Sequence, residues 1–181
     1  RASKGLEMLN HLITCSKYLG VTDIVIPCVD GSALTSDTKI DCFIDRIQQV
    51  IPHAETIGVN LSLETDLEPR KFSKVLKTLD STRATVTYDI GNSAALGYNP
   101  IDEFEAYGNR ISNVHIKDRI VSGGSVPLGN GNANFKLVFQ SLLEIDYRGP
   151  LIMQAYRNEE GISIFKKQLN WVKPFLDQLN A

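Results

Sequence analysis

Glu64 in "LSLET", Asp89 in "TYDIG", His115 in "NVHIK" and Gln154 in "LIMQA" each stand at the end of a short apolar run. Two carboxylates, an imidazole and an amide oxygen make a mixed oxygen and nitrogen donor set. Such a set suits a divalent ion, Mn²⁺, Mg²⁺, Co²⁺ or Zn²⁺. An ion held this way can grip two neighbouring oxygens of a sugar and lower the energy of an enediolate beside a carbonyl. A carboxylate set against the C–H bond then acts as the base.

Other ionisable groups lie close by in sequence. "ISNVHIKDRI" brings Lys117, Asp118 and Arg119 directly after His115, and "QAYR" ends in Arg157. Lys117, Arg119 and Arg157 can bind a phosphate or a sugar hydroxyl, Arg as a planar fork and Lys as a mobile point charge. If the strand continues through Arg119, its alternation points His115, Lys117 and Arg119 inward together. Asp118 then faces the helices, as a cap or an ion-pair partner. Asp30, before "GSALTSD", reads as a helix cap or solvated loop residue and stays outside the metal set. His11 and His53 fall in helical segments and read as packing or surface residues.

The elements that must position these groups alternate along the chain. "LEMLNHLITCSKYLG" has helical spacing and stops at Gly20. "TDIVIPCVD" reads as a strand, "KIDCFIDRIQQVIPHAETIG" as a helix locally disturbed at Pro52, and "VNLSLET" as the next strand. "EPRKFSKVLKTLD" is a helix, "ATVTYDIGN" a strand, "NPIDEFEAYGN" a helix with Pro100 in its first turn, and "ISNVHIKD" a strand. A Gly/Asn-rich loop leads to the helix "FKLVFQSLLEIDYRG", the strand "PLIMQAYR" and a closing amphipathic helix, "GISIFKKQLNWVKPFLDQLN".

Strands each followed by a helix imply a parallel sheet, because parallel neighbours need a long crossover. Two architectures compete, a doubly wound open sheet and a (β/α)8 barrel. "GNGNAN" does not fit the G-x-G-x-x-G of a dinucleotide-binding turn and does not follow the first strand. It reads as loop chemistry. In a barrel, the C-terminal strand ends converge on one mouth, where the active site is built. The successive spacings of the polar strand ends match βα units. A complete barrel takes roughly 250 residues, and this chain has 181. The expected fold is α/β, a partial (β/α)8 barrel of about five C-terminal βα units with the first three strands absent. Residues 1–181 are expected to form a single domain.

Composition excludes some classes. The charge balance of 19 basic to 21 acidic residues, -2 overall, gives no basic face for nucleic acid. No apolar run approaches the roughly 20 residues that span a bilayer. The start, "RASKGLEMLN", has neither an apolar signal core nor an initiator Met, so the expectation is a cytoplasmic protein whose natural N-terminus is absent. Cys15, Cys28 and Cys42 have no C-x-x-C spacing and read as buried free thiols.

Taken in order, "PCVDGS", "LSLET", "YDIGNSAALGYNP", "NVHIKDR", "VPLGNGNANF" and "YRGPLIMQAYR" resemble the xylose isomerase-like barrels. These are the sugar phosphate isomerases/epimerases that include ketose 3-epimerases and hexulose-6-phosphate isomerase-like proteins. The resemblance implies that a Glu, an Asp, a His and a second Glu bind a metal, and that both glutamates exchange protons with the substrate carbon. Glu64, Asp89 and His115 match the first three positions. Gln154 stands at the fourth, where its amide can offer an oxygen to a metal but cannot take a proton from carbon. Two-base epimerisation loses a base; one-base isomerisation by Glu64 does not. Asn92 occupies a position where epimerases often have His, and joins Lys117, Arg119 and Arg157 on the substrate side.

The leading expectation is a metal-dependent isomerase or epimerase of a sugar or sugar phosphate, working through an enediolate. A non-catalytic sugar-binding or scaffold barrel that lost its second glutamate is the alternative. An endonuclease IV-like nuclease is disfavoured, since such sites assemble zinc from many histidines and this chain has three His. The expected partner is a small sugar, with no nucleic acid and no membrane. Open barrel edges point to a homo-oligomer or a longer polypeptide.

Overall fold

The structure, a computed structural model, describes residues 2–179. It comprises two compact units, Arg1–Thr87 and Tyr88–Ala181, and the division falls inside a strand.

In the first unit, α1 (Ala2–Leu19) precedes β1 (Asp23–Cys28), a short 3-10 turn at Asp30–Ser32 and α2 (Asp37–Ile57). The start of α2 is fixed by Ser36, whose side chain accepts a hydrogen bond from the Lys39 amide. Its end is fixed by Gly58, at φ 84°, a left-handed conformation that a residue with a Cβ resists. Ile44, Ile47, Val50, Ile51 and Ala54 form the buried stripe. The helix continues through Pro52 without breaking. Then come β2 (Asn60–Thr65) and α3 (Pro69–Leu79), which opens with Pro69 in its first turn and the Glu68 carboxylate on the amides of Arg70 and Lys71. β3 (Ala84–Asp89) follows.

β1 pairs in parallel with β2 from Asp23↔Asn60 to Cys28↔Thr65, and β2 with β3 from Leu61↔Ala84 to Leu63↔Val86. Side chains alternate across the pleat. Leu61, Leu63, Ala84 and Val86 form one buried face, and each large aliphatic side chain removed from water contributes about 1.5–3 kcal/mol. The opposite face is also buried but polar: Ser62, Glu64, Thr85 and Thr87. Ser62 Oγ and Thr87 Oγ1 share a hydrogen bond of 2.8 Å across it.

The second unit holds α4 (Ile90–Leu96), α5 (Pro100–Tyr107), a 3-10 turn at Gly108–Arg110 and β4 (Ile111–Ile116). Next come the short strands β5 (Asp118–Arg119) and β6 (Ser125–Val126), α6 (Phe135–Glu144), β7 (Leu151–Met153) and α7 (Ile162–Leu179). β4 pairs in parallel with β7 from Val114↔Leu151 to Ile116↔Met153. Phe135, Phe139, Trp171 and Phe175 join α6 to α7, with ring centroids 4.9 to 6.2 Å apart. The sheet order is β1-β2-β3-β4-β7, a parallel sheet of five strands with flanking helices, as the alternating pattern requires.

Three features depart from the sequence reading. "IGN", expected to end the third strand, instead opens the helix Ile90–Leu96, because Asp89 ends β3 and caps α4 at once. β4 stops at Ile116, and Asp118–Arg119 turns away to pair antiparallel with Ser125–Val126. Of the three thiols expected to be buried, Cys28 is buried, Cys15 is half-buried and Cys42 is exposed. Among the described residues, no helix is long and apolar enough to cross a membrane.

Candidate functional site

In the second unit the polar groups gather at the C-terminal end of the strands. On β4, Val114 and Ile116 carry the apolar face, while Asn113 and His115 point the other way and are also buried. Asp89 is 4% exposed, and its two oxygens have separate tasks. Oδ1 accepts the Asn92 amide at 2.8 Å, fixing the first turn of α4. Oδ2 lies 3.7 Å from His115 Nδ1 and 3.5 Å from Lys117 Nζ.

Gly91 lets α4 approach this closely. A Cβ at that position meets Lys117 Cγ at 2.7 Å and Lys117 Cβ at 3.0 Å, so the glycine of "DIGN" is required by packing. Lys117 Nζ also donates to Asn92 Oδ1 at 3.2 Å, and Arg119 Nη1 donates to the same oxygen at 2.8 Å. Arg119 further donates from Nε and Nη2 to the Gly123 carbonyl. Asn92 therefore gathers two cations beside Asp89.

Asp118 lies apart from this cluster. It was expected to cap a helix or pair with a cation if the strand continued. Instead its buried carboxylate accepts the amides of Gly129 and Gly131, both at 2.9 Å, and of Ala133 at 3.1 Å. The Gly/Asn-rich loop wraps the carboxylate with its own backbone. Gly131 has no room for a Cβ against Asp118 Oδ1.

Gln154 lies one residue beyond β7. Its backbone N–H donates to the Ile116 carbonyl at 3.0 Å, and the His115↔Ile152 register puts it opposite Lys117 on the His115 side of the sheet. Its side chain is exposed, unlike Asp89 and His115. With Lys117, Tyr156, Arg157 and Phe165 it lines a cavity of about 630 Å³. Arg157 is exposed at that cavity.

In the first unit, Glu64 near the end of β2 is 8% exposed and lies on the same polar face as Ser62. Burial, aided by the nearby Glu64 and Asp66 carboxylates, pushes the Cys28 thiol up to about 11. Asp66 accepts the Asp30 amide at 3.2 Å, while Asp30 itself is exposed with φ 49°. His53 bonds Asn10 between α2 and α1, and His11 meets Cys15 within α1.

One buried acid has no place in the sequence reading. Glu103 on α5 is 2% exposed and accepts hydrogen bonds from Tyr88, Ser93 and Tyr107. Burial raises its carboxyl above the usual range, while the three hydroxyls oppose that rise. Its neighbours Asp102 and Glu105 make it look like part of a solvated acidic helix face, so only the fold reveals it.

A family model described as "Xylose isomerase-like TIM barrel" matches residues 1–175. An L-ribulose-5-phosphate 3-epimerase of Salmonella paratyphi A is 26% identical, over 94% of this chain and 63% of that protein. A xylose isomerase domain protein from Planctomyces limnophilus superposes with a TM-score of 0.81 at 19% identity, covering 98% of this chain and 66% of that one. A xylose isomerase-like TIM barrel protein from Mycobacterium smegmatis, in complex with magnesium, gives 0.74 at 20% identity, covering 99% and 69%. The chain spans between 50% and 64% of the length of the first curated relatives it matches. With a matched model over nearly its whole length and five parallel βα units in place, this chain belongs to the xylose isomerase-like TIM barrel family.

Proposed function

We propose that this chain carries the metal- and base-bearing part of a sugar or sugar phosphate isomerase or epimerase site, with Glu64, Asp89 and His115 as the metal ligands. The observation that carries the reading is the Asp89–His115–Lys117 cluster at the ends of β3 and β4. Glu64 near the end of the adjacent strand supports a third ligand, because the β2–β3 register sets Ser62, Glu64, Thr85 and Thr87 on one polar face. Asp89 lies two residues beyond Thr87, on the same side of the pleat. All three residues are buried, and each can give one ligand atom.

The donor set fits a divalent ion. Two buried carboxylates with an imidazole match Mn²⁺, Mg²⁺, Co²⁺ or Zn²⁺. The His115 to Asp89 separation of 3.7 Å is too long for a direct hydrogen bond. Magnesium in one structural neighbour points the same way. When bound, the ion would supply positive charge against the negative charge that develops on substrate oxygen.

The chain's own residues do the rest. Glu64 takes the proton from the carbon beside the carbonyl and returns it to the former carbonyl carbon, while the hydroxyl proton passes from its own oxygen to the former carbonyl oxygen, so one base suffices for the transfer between carbons. Asp89 and His115 would hold the ion, and Asp89 also keeps the Lys117 ammonium at the site. Asn92 orients Lys117 and Arg119, and Lys117 with Arg157 gives the cavity the positive charge to receive a sugar oxygen or phosphate. Gln154, at that cavity, offers an amide to hydroxyls and no base.

Gln154 also favours a second reading, a barrel that binds sugar without turning it over, since the second base is absent and the side chain is exposed. Three samples separate the readings: the parent, Glu64→Gln and Gln154→Glu, each assayed with Mn²⁺ against a panel of ketoses and ketose phosphates. The enzyme reading predicts turnover by the parent that Glu64→Gln abolishes. Sugar binding without turnover in the parent, with epimerase activity gained in Gln154→Glu, supports the binding reading instead.

A further inference from the structure

Glu103 has a task that its place outside the site conceals. Tyr88 and Ser93 flank the segment Asp89–Asn92, one at the end of β3 and the other in α4. Both donate to the same oxygen of Glu103: Tyr88 from 2.9 Å, and Ser93 through a short hydrogen bond. The other oxygen, Oε1, accepts from Tyr107 at 2.8 Å, one helical turn away on the same helix. By alternation along β3, Tyr88 points away from the face that carries Asp89. The carboxylate therefore clamps the segment from behind, at both ends.

Between those ends lie the two contacts that orient the site. The Asp89 carboxylate is turned by the Asn92 amide at 2.8 Å, and the Asn92 side chain receives Lys117 and Arg119. Both depend on how α4 leaves β3. Asn99 and Pro100 start α5 independently, so Glu103 is not needed to form its own helix. An aliphatic or amide side chain there would be easier to bury than a carboxylate, yet the position holds an acid that accepts three hydroxyls.

We propose that Glu103 is a positioning residue: through Tyr88 and Ser93 it fixes the β3–α4 junction, and so the direction of the Asp89 carboxylate and the Asn92 amide. The clamp is specific in its parts. Losing Ser93 frees the α4 end, whereas losing the Tyr107 hydroxyl leaves both ends tied.

Four variants of this chain test it: Glu103→Gln, Ser93→Ala, Tyr107→Phe, and Leu142→Ala as a destabilised control in α6. Two readouts are used, the hydrogen-exchange protection of the Asn92 amide without metal and Mn²⁺ affinity by calorimetry. The clamp predicts that Glu103→Gln and Ser93→Ala lower Asn92 protection at least tenfold more than protection across β4, while Tyr107→Phe leaves it within about twofold. Groups that orient a metal ligand are worth about 10- to 100-fold in affinity. Since Glu103 acts at one remove, Glu103→Gln is expected to weaken Mn²⁺ binding about tenfold.

Asn92 protection unchanged in both Glu103→Gln and Ser93→Ala overturns the proposal. So does a uniform loss of protection like that of Leu142→Ala. If Glu103→Gln does not fold, Ser93→Ala against Tyr107→Phe decides alone. The metal readout rests on the function proposed above and the amide readout does not. A parent that binds no Mn²⁺ but shows the predicted Asn92 pattern therefore sinks that function and leaves the clamp standing.

Discussion

Replacing Asp89 separates the two tasks its carboxylate performs. In Asp89→Ala, α4 loses its cap at the Asn92 amide, which costs about 1 kcal/mol. Lys117, with its side chain 19% exposed, also loses the carboxylate 3.5 Å away. A hydrogen bond to a charged group is worth about 1.5–3 kcal/mol at good geometry, and this long one about 1 kcal/mol. The two losses together come to about 2 kcal/mol. Asp89→Asn keeps an oxygen for the Asn92 amide but turns a donor toward Lys117, so it loses only the second part, about 1 kcal/mol. For a chain of this size each kcal/mol moves the melting temperature by about 2–4 °C. Asp89→Ala should melt about 4–8 °C below the parent and Asp89→Asn about 2–4 °C below. The assay is thermal unfolding with a chelator present, so that a bound ion adds no stability. Two equal shifts would show that the cap contributes nothing. No shift in either would show that the cluster does not hold the junction.

The Cys28 thiol, pushed up to about 11, stays protonated in the folded chain while an unfolded thiol ionises near 8.5. The folded state then binds more protons, so stability is flat below that range and falls as pH rises from about 8.5 to 11; urea melts should show this fall in the parent and a shallower one in Cys28→Ala. At pH 8, iodoacetamide should label the exposed Cys42 well before Cys28, and equal rates read by mass spectrometry would contradict the burial of Cys28. Gly131→Ala drives a Cβ into the Asp118 carboxylate, so limited proteolysis should cut within residues 120–134 at least tenfold faster, while a far-UV spectrum stays near the parent's. β1 and β7 end the sheet order, and unpaired edges recruit partners; light scattering should find this chain self-associated, and a dispersed monomer argues against that.

Much of the fold was legible because it follows from local pattern. β2, β3 and β4 announced themselves by apolar alternation ending in Glu64, Asp89 and His115. Gly58 marked the end of α2 by lacking a side chain, and Pro100 marked the first turn of α5. What escaped depends on contacts between distant residues. α4 was hidden because Asp89 is both the last strand residue and the first cap, and Ile90 continues the apolar run. The turn of the chain after Ile116 was hidden because amides from 129, 131 and 133 hold Asp118, a closure that no short pattern encodes. Glu103 was hidden among acidic neighbours, its burial set by tyrosines from β3 and its own helix. Asn92 was expected to face substrate, and the structure gives it a second partner set in Lys117 and Arg119.

If Glu64 joins Asp89 and His115 in holding one divalent ion, as proposed, the ion's binding must depend on Glu64. Calorimetric titration of Mn²⁺ into the parent, Glu64→Gln, His115→Gln and Asp30→Asn tests it most directly. One ion per chain is expected in the parent and in Asp30→Asn. Glu64→Gln and His115→Gln should each lose more than the tenfold that a supporting partner is worth. Binding in Glu64→Gln that equals the parent's, or an ion lost with Asp30 instead, contradicts the assignment.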